Sequence, residues 1–524
     1  MLESNQNKAD NDRWMRWVIV LTFLAILAIG VISYDDYGIS VDESFQIKKA
    51  RVNWDYIAGT SDELLSYDDR HYGAIIAMQL EAIGGNIKDS RVNFLARHLY
   101  TYLTFYLSSI YLFALLRKMK MAFGVALAGV LLYVFHPHIF SHSFYNIKDI
   151  PFLSYFVMSL YSLALLIEKR DWKFALLHGT LSGYLVVLRL PGVMMWGLTG
   201  LAALALLARE PRKWKLFSVL ALVYGVAALG ALVLFMPALW HNPYLELRLF
   251  LSMDLFTWPH KELFMGNFLS PEQYPWYYLP VYFAVTTPIL FLAFFGVGII
   301  AVFTGGNENR NRPFEANLVR WIMVAAFVLP LLVLMAIKPV IYNGWRHAFF
   351  IYAGFVGVAA IGVELALNLA IKWWKSRVGK PVILATLLLV LLAIAKLGLF
   401  FYFAHPYEHV YYNKLAGSDL AAARTAYAMD YWGLAYRTAL EKIAESDPRT
   451  EIRVTGFHPY LAQENWKILP KPDRKRILVV GKDEPFDYLI DHYRTHFNTE
   501  VEGLTLVDSI WVDGAIINGT YKRK

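Results

Sequence analysis

Eleven long apolar segments recur along this chain and constrain its fold more than any other feature. They cover residues 14–33, 98–116, 121–136, 151–167, 173–189, 191–208, 215–237, 278–303, 318–338, 348–370 and 381–403. About 20 apolar residues are needed to cross roughly 30 Å of hydrocarbon. Charged residues make up only 18% of the chain, against about a quarter in soluble domains. The sequence therefore predicts an α-helical polytopic membrane protein with about 11 transmembrane helices, the first of them retained because no cleavage site follows it.

Lys and Arg in the short loops between these segments predict the orientation. One side carries clusters of cations, among them Lys118, Lys169, Arg212 and Lys375. The opposite side carries only scattered ones. Because cytoplasmic loops are enriched in Lys and Arg, we expect the N-terminus in the cytoplasm and, with eleven spans, the C-terminus outside.

Three longer segments then face the exterior. Residues 34–97 contain two stretches with helical spacing of apolar residues, at 41–59 and 71–85, which we expect to be amphipathic helices at the membrane interface. Residues 240–280 are dense in Trp, Tyr and Pro. Residues 404–524 are polar, with a predicted helix at 421–446 and strand-like runs at 451–457, 476–482 and 505–519, the last with a hairpin turn at Asp513-Gly514. We expect a transmembrane module over 1–403 and a small exterior α/β domain over 404–524.

Composition excludes several classes of protein. The chain has no cysteine, which excludes disulfides, thiolate catalysis and Cys-ligated metals. Its net charge of +8 follows membrane topology and does not indicate nucleic-acid binding.

Four carboxylates follow the first span, in Y34DDYGISVDESFQ46. Asp35 and Asp36 mark the point where the chain leaves the membrane. Asp42 and Glu43 lie further on, and neighbouring carboxylates near a membrane need a positive partner or a proton. A carboxylate there could act as a general base toward a hydroxyl nucleophile, or the acids could simply belong to an exterior loop.

A second polar stretch, F135HPHIFSHSFYNIKDIPF152, lies between the third and fourth spans. His136, His138, His142 and Asp149 could ligate a divalent metal, although their spacing matches no metal motif. Asp149 precedes Pro151 and could also begin the next helix.

Cations at the exterior ends of spans are exceptions to the enrichment of Lys and Arg on the cytoplasmic side. They are Arg97, Arg189 and the Arg346-His347 pair of Y342NGWRHAFF350. The guanidinium group matches the geometry of a phosphate, whereas the alternative is a contact with lipid headgroups or with the acids above. Carboxylates for a base and cations for a phosphate are predicted on one face, which suits attack on a sugar carried by a lipid phosphate.

Several motifs together resemble the GT-C superfamily of polyprenyl-phosphate-sugar-dependent glycosyltransferases, of the protein O-mannosyltransferase and lipid A aminoarabinose transferase type. They are S40VDESFQ, R97HLYTYL, N146IKDIPF, L188RLPG, P275WYYLPVYFAVTTP and N343GWRHAFF, with H405PYEHVYYNKLAG and D430YWGLAY after the last span. The resemblance covers about 400 residues and is to bacterial members of the group, which implies the inner membrane of a bacterial cell.

The resemblance implies inverting transfer of a sugar from a polyprenyl-phosphate carrier to a hydroxyl acceptor. Asp42 would be the base, Glu43 would orient acceptor or base, and Asp149 would be a second acid near the site or a metal. Arg97 would face the donor phosphate. Arg189, Arg346 and His347 would contact phosphate or sugar, and His71 lies where relatives carry a His-Pro-Pro-like turn, without its prolines.

The acceptor, whether glycan, lipid or protein, and the need for a divalent metal stay open at this point. Two alternatives also stay open. A secondary transporter would need ionisable groups at mid-membrane, and Glu364 is the nearest case. A flippase or non-catalytic binding protein for lipid-linked sugars would keep the fold without the reaction.

Overall fold

The computed structural model describes residues 2–252, 260–304, 312–497 and 499–523, and for residues 2–13 the backbone alone. Residues 253–259, within the predicted aromatic segment 240–280, lie outside the described residues. The helices up to the end of the last apolar segment are α1 (Leu2–Ser33), α2 (Val41–Ile57), α3 (Glu63–Ser66), α4 (Ala74–Gly84), α5 (Ser90–Lys118), α6 (Phe123–Val134), α7 (Pro137–Tyr145), α8 (Asp149–Lys169), α9 (Trp172–Leu188), α10 (Val193–Arg209), α11 (Trp214–Phe235), α12 (Pro243–Leu251), α13 (Tyr278–Thr286), α14 (Ile289–Thr304), α15 (Phe314–Ile337), α16 (Tyr352–Trp373) and α17 (Gly379–Ala404).

Every predicted apolar segment is helical. Within the described ranges, eight helices are long and apolar enough to cross a membrane. Two further segments are pairs of helices, α6 with α7 and α13 with α14, bent by 64° and 117°. The remaining segment is α9, whose 17 residues span about 26 Å at the usual helical rise. The predicted α-helical membrane fold is confirmed, and α2 and α4 lie where the amphipathic stretches were expected.

Small residues let some of these helices pack closely. A Cβ on Gly298 of α14 would lie 2.0 Å from the carbonyl oxygen of Val358, and a Cβ on Gly362 of α16 would lie 1.9 Å from that of Phe294. Substitution at either position would push the two helices apart. Close backbone contact of this kind is a main source of helix association in membranes, where no hydrophobic effect drives it.

Glu364, the ionisable residue nearest to mid-membrane in the sequence, has partners. Its carboxylate pairs with Arg320 at 2.6 Å and Arg312 at 3.0 Å. A charge within a span that is paired in this way is tolerated as a structural element.

The break between α13 and α14 is held by the segment that follows the last membrane helix. The Asn413 amide donates to the carbonyl oxygens of Ala284 and Thr287, both at 2.6 Å, and its backbone N–H donates to the Val285 carbonyl at 2.8 Å. These are carbonyls that a helix broken before Pro288 cannot satisfy internally, and each would be costly to leave unpaired in hydrocarbon.

The C-terminal region forms a small domain with a five-stranded sheet. Its elements are helices α18 (Leu420–Arg424), α19 (Ala435–Ser446), α20 (Pro459–Trp466) and α21 (Lys471–Arg476), and strands β3 (Ile452–Gly456), β4 (Ile477–Val479), β5 (Tyr488–Asp491), β6 (Leu504–Val512) and β7 (Ala515–Arg523). Strands β1 (Glu262–Phe264) and β2 (Asn267–Leu269) form a separate hairpin. The strand order is β4-β3-β5-β7-β6, with β4, β3 and β5 parallel and β7 antiparallel to both neighbours. The predicted Asp513-Gly514 turn joins β6 to β7, and both of its residues have positive φ, as a two-residue hairpin requires.

The predicted single helix over 421–446 is wrong in its middle. The chain forms α18 and α19 with an irregular stretch between them. Gly433 there has a φ of +67°, and the Asp430 carboxylate accepts hydrogen bonds from the backbone N–H groups of Leu434 and Ala435 at 3.0 and 2.9 Å. Local side-chain hydrogen bonds of this kind compete with a continuous helix. Residues 427–434 instead pack into the core of the membrane helices, and the division of the chain at residue 403 stays a prediction.

Replacing Asn413 by Ala removes two of its three hydrogen bonds to the α13–α14 break, because the backbone N–H remains. We expect the free energy of unfolding in detergent to fall by about 2 kcal/mol, because two buried carbonyls lose their donor. SDS titration followed by circular dichroism measures this change. Asn267→Ala, at an exposed position in the β1–β2 turn, is the matched control, and an equal loss in both variants would contradict the assignment.

Candidate active site

The start of α2 fixes the position of Asp42. The Ser40 backbone N–H donates to Glu43 Oε1 at 2.8 Å, which closes a capping box over the first turn. The Ser40 hydroxyl donates to the Tyr145 carbonyl oxygen at 3.0 Å and so ties this turn to the end of α7. Asp42 therefore begins a helix whose first turn is anchored to the bundle.

Glu43 lies behind this turn and is fully buried. One oxygen accepts the Ser40 hydrogen bonds, and the other lies 3.1 Å from His98 Nε2. Both oxygens of Glu43 are thus engaged within the protein. The structure places Glu43 as a support for the helix that carries Asp42.

The side chain of Asp42 lies between two cations. Its Oδ2 is 3.2 Å from Arg346 Nη1, and its Oδ1 is 3.4 Å from Lys148 Nζ. Burial alone would raise the pKa of the Asp42 carboxyl, but Lys148 and Arg346 outweigh it and lower that pKa to about 2. About a fifth of the side chain (19%) stays accessible to solvent, so a ligand can reach the carboxylate.

Asp149 stands at the start of α8 and is held by Asn146. The Asn146 amide donates to Asp149 Oδ2 at 2.9 Å, and the Asp149 backbone N–H donates to Asn146 Oδ1 at 2.9 Å. The carboxylate also pairs with Arg189 at 2.6 Å and with Arg346 at 3.3 Å. The side chain is 1% exposed, and these partners compensate for its removal from water.

Arg346 joins the two carboxylates. Its Nη1 contacts both Asp42 and Asp149, and its guanidinium lies over the rings of Tyr342 and Trp432, at 4.8 and 5.0 Å from their centroids. The aromatic faces favour the cation where water is excluded. Asp42, Arg346, Asp149 and Arg189 thus form an alternating chain of charges, which we call the carboxylate–arginine chain.

A second group of cations surrounds Tyr72, next to this chain. Lys49, Lys148 and Arg189 lie 5.1, 5.5 and 5.3 Å from the centre of its ring. Lys49 also pairs with Asp69 at 2.5 Å, and its burial lowers the pKa of its ammonium to about 8 although Asp69 acts in the opposite direction. Burial also acts to lower the pKa of Lys148, but Asp42, Tyr72 and Tyr342 together outweigh it and raise that pKa. Each of these three cations pairs with a carboxylate, and together they provide the kind of donors that an anion such as a phosphate requires.

Lys49 and Tyr72 were not predicted from the sequence. Lys49 lies within α2, where a lysine is ordinarily solvated, and its burial follows from the packing of α2 against α4. Tyr72 is adjacent to His71 in the stretch that the family resemblance singled out, which is the one sequence signal that pointed near it.

Beside Arg346, which lines it, lies a small pocket of about 30 Å³. Aromatic and imidazole groups dominate its wall, including those of His142, Trp345, His409, Tyr412 and Trp432. Flat apolar faces beside hydrogen-bonding edges suit a ring that carries hydroxyl groups. The carboxylate–arginine chain therefore lies between this aromatic pocket and the cationic cluster, by which we mean Lys49, Lys148 and Arg189 around Tyr72.

Three other predicted residues are not members of the carboxylate–arginine chain. Arg97 is fully buried and bonded to Glu81 at 2.5 Å and Asn93 at 2.6 Å. His71 is 6% exposed and lies 2.5 Å from Glu246 Oε2. The ring of His347 packs edge-on against Tyr342 at 4.6 Å. Arg97 and His71 thus have carboxylate partners of their own, while His347 lies beside the aromatic residue under Arg346.

The three histidines of the 135–152 stretch face separate partners. His136 Nε2 lies 3.3 Å from the Thr287 hydroxyl, His138 Nε2 donates to the Tyr411 carbonyl at 2.8 Å, and His142 Nδ1 lies 3.0 Å from the Asn146 amide. Among residues that the structure describes, no three His, Asp or Glu side chains come together as a metal site.

The C-terminal domain reaches the wall of the pocket. Arg494 lies over Tyr431, 4.1 Å from the centre of its ring, and Tyr431 also lines the pocket. Glu262, on the β1–β2 hairpin, accepts a hydrogen bond from the Asn343 backbone N–H at 2.6 Å. Burial raises the pKa of Glu262 although Arg494 acts against it. Neither residue was predicted, because each lies far in sequence from the recognised motifs.

Replacing Arg189 by Met leaves Asp149 buried with one cation fewer. We expect the free energy of unfolding to fall by about 3 kcal/mol, because breaking a buried ion pair uncovers an uncompensated charge. Arg91→Met is the matched control, since the Arg91–Asp35 pair is partly exposed and should contribute about 1 kcal/mol or less. SDS titration measures both, and equal losses would contradict the account.

No protein-family model matches the sequence, and a search of curated proteins finds no match. Among solved structures, ArnT from Cupriavidus metallidurans bound to undecaprenyl phosphate aligns with a TM-score of 0.50 and 13% identity over 96% of this chain and 98% of that one. The apo state of ArnT aligns with a TM-score of 0.48 and 12% identity over 96% and 97% of the two chains. The apo oligosaccharyltransferase of Archaeoglobus fulgidus aligns with a TM-score of 0.48 and 12% identity over 91% and 69%. ArnT is a lipid A aminoarabinose transferase, and both proteins are GT-C glycosyltransferases. The fold of this chain is therefore similar to the GT-C fold of ArnT, as the sequence motifs predicted.

Proposed function

We propose that this protein is an inverting glycosyltransferase that moves a sugar from a polyprenyl-phosphate carrier to a hydroxyl acceptor at the outer face of a bacterial inner membrane. The observation that carries the proposal is the placement of Asp42 within contact of Lys148 and Arg346, between a cationic cluster and an aromatic pocket. The fold shared with ArnT, whose structure holds undecaprenyl phosphate, is consistent with it.

The donor phosphate would bind at the cationic cluster. Lys148 and Arg189 both lie beside Tyr72 and would contact phosphate oxygens, while the lipid chain remains in the bilayer. Lys49 adds a third positive charge nearby. Cations aimed at the leaving phosphate stabilise the negative charge that develops there, which is commonly the largest electrostatic contribution to such a reaction.

The sugar would lie toward the aromatic pocket, next to the hydroxyl that attacks it. The acceptor oxygen forms a bond to the anomeric carbon from the face opposite the phosphate, and the bond from that carbon to the phosphate oxygen breaks. The electron pair of the broken bond leaves with the phosphate, and the hydroxyl proton passes to Asp42. The result is inversion at the anomeric carbon.

A carboxylate with a pKa of about 2 is a weak base, since proton acceptance is most efficient near the working pH. Donor binding removes part of this obstacle. When the phosphate takes Lys148 as a partner, the positive charge acting on Asp42 is partly neutralised, and the pKa of Asp42 rises. The base is therefore strengthened by the substrate whose reaction it assists.

Asp149 and Glu43 would act by holding other residues of the site in place. Asp149 holds Arg189 and Arg346 at fixed places, and Glu43 holds the turn that carries Asp42. Of the other predicted contacts, His347 lies closest to the chain through Tyr342, and Arg97 and His71 would support the helices around the donor. A role for a divalent metal stays a prediction without a ligand set among the described residues.

The sugar and the acceptor are not specified by these contacts. A flippase or a non-catalytic binding protein for lipid-linked sugars could use the same cationic cluster, and a measurement of turnover separates these from the enzyme. Glu364 is paired with two arginines, and a residue paired in this way offers little support for a secondary transporter.

Replacing Asp42 by Asn removes the base and preserves the shape of the side chain. We expect the rate of sugar transfer from a radiolabelled polyprenyl-phosphate sugar, in membranes from the producing cells, to fall by at least about a hundredfold. Asp36→Asn is the matched control, because Asp36 lies in the same stretch, is half exposed and pairs with His405. Undiminished transfer by a fully expressed Asp42→Asn variant would remove Asp42 from the mechanism.

A further inference from the structure

The last membrane helix, α17, carries a lysine within its apolar length. Lys396 lies eight residues before the helix ends at Ala404, which is about 12 Å along the axis. The surrounding residues, L391LAIAKLGLFF401, contain no other charge. A cation within a membrane span is costly and usually marks a functional contact.

Lys396 differs from the other intramembrane charges in its surroundings. The Glu364 carboxylate is paired with arginines. Lys396 is exposed, and among the described side chains no carboxylate lies within ion-pairing distance of it. Its ammonium is therefore open to a partner of opposite charge from outside the described part of the protein.

Lys396 lines a cleft of about 650 Å³ between α17 and the start of α14. The α14 side is formed by Pro288, Ile289, Leu290 and Phe291, and Leu397, Leu399, Phe400 and Phe403 contribute from α17. The wall is apolar along the membrane and polar only at the end near the C-terminal domain.

The polar end of this cleft holds charges of both signs. Lys414 donates to the Ser418 carbonyl oxygen. Asp419 caps α18 by accepting from the Ala422 backbone N–H at 2.8 Å, and Asp513 lies in the β6–β7 turn. These three residues stand at the mouth, and the backbone of Lys396 lies deeper, along the apolar length of α17.

We propose that this cleft binds a membrane lipid that carries a phosphate. The hydrocarbon chains lie along the apolar wall, and the phosphate pairs with Lys396 near the mouth. A lysine side chain is long enough to extend its ammonium from this depth toward the headgroup level, while its methylene groups remain in hydrocarbon. The apolar wall and the cation at its upper end match the two parts of such a lipid.

A lipid in this cleft lies beside the candidate active site. Tyr412 lines both the cleft and the aromatic pocket next to Arg346. The adjacent Asn413 fixes this segment to the α13–α14 break. One aromatic side chain therefore separates the lipid headgroup from the pocket, and the binding itself does not depend on the proposed transferase activity.

The test uses the purified full-length protein in alkyl maltoside micelles and two photoactivatable probes. One is phosphatidylglycerol with a diazirine in an acyl chain, and the other is diacylglycerol with the same chains and no phosphate. After irradiation, mass spectrometry of peptides maps the adducts. We expect phosphatidylglycerol adducts on residues 288–291 and 397–404, about tenfold above those of diacylglycerol, as a charge-assisted contact would give.

Variants of one helix supply the controls. Lys396→Met should lower phosphatidylglycerol labelling of the cleft to the diacylglycerol level, and Lys396→Arg should retain it. Lys380→Met, at the opposite end of α17, should leave it unchanged. Equal labelling by the two probes in the unaltered protein would overturn the proposal without any variant, and so would unchanged labelling of a folded Lys396→Met protein or adducts spread evenly over all lipid-facing helices.

Discussion

The contact of Arg346 with both Asp42 and Asp149 is the interaction on which the rest of the site depends. These residues come from the start of α2, the start of α8 and the turn before α16, which are far apart in the sequence. Each carboxylate has a further cation of its own, Lys148 for Asp42 and Arg189 for Asp149, and the Arg346 guanidinium is the one partner that both share. With Lys148, the same contact lowers the pKa of Asp42, and it joins the cationic cluster to the aromatic pocket that Arg346 lines.

This arrangement creates a tension that the proposed reaction resolves. The cations that make the carboxylate stable also make it a weak base, since they hold its pKa at about 2. A phosphate at Lys148 would compete with Asp42 for that ammonium, so that binding of the donor and activation of the base are coupled. Lys49, with a pKa lowered by burial to about 8, lies close enough to add to the attraction for a dianion without a direct contact with Asp42.

Much of the fold could be predicted from the sequence, because long apolar segments leave a membrane chain few alternatives. Asp42, Asp149, Arg189 and Arg346 were predicted to share one face, and the structure brings them into contact. Arg97 and His71 could not be placed in the same way, since the partners Glu81 and Glu246 lie in segments whose packing the sequence does not reveal. The break between α18 and α19 was missed because the Asp430 and Gly433 contacts outweigh an otherwise helical pattern of apolar residues. Lys49 and Tyr72 were missed because the burial of Lys49 beside the Tyr72 ring depends on tertiary packing alone.

The most direct test of the central claim is an experimental structure of the protein with a polyprenyl phosphate bound. The account predicts phosphate oxygens within hydrogen-bond distance of Lys148 and Arg189, beside the ring of Tyr72, with Arg346 still in contact with Asp42 and the Lys148–Asp42 distance increased from 3.4 Å. A phosphate bound away from this cluster, with the Lys148–Asp42 contact unchanged, would contradict it.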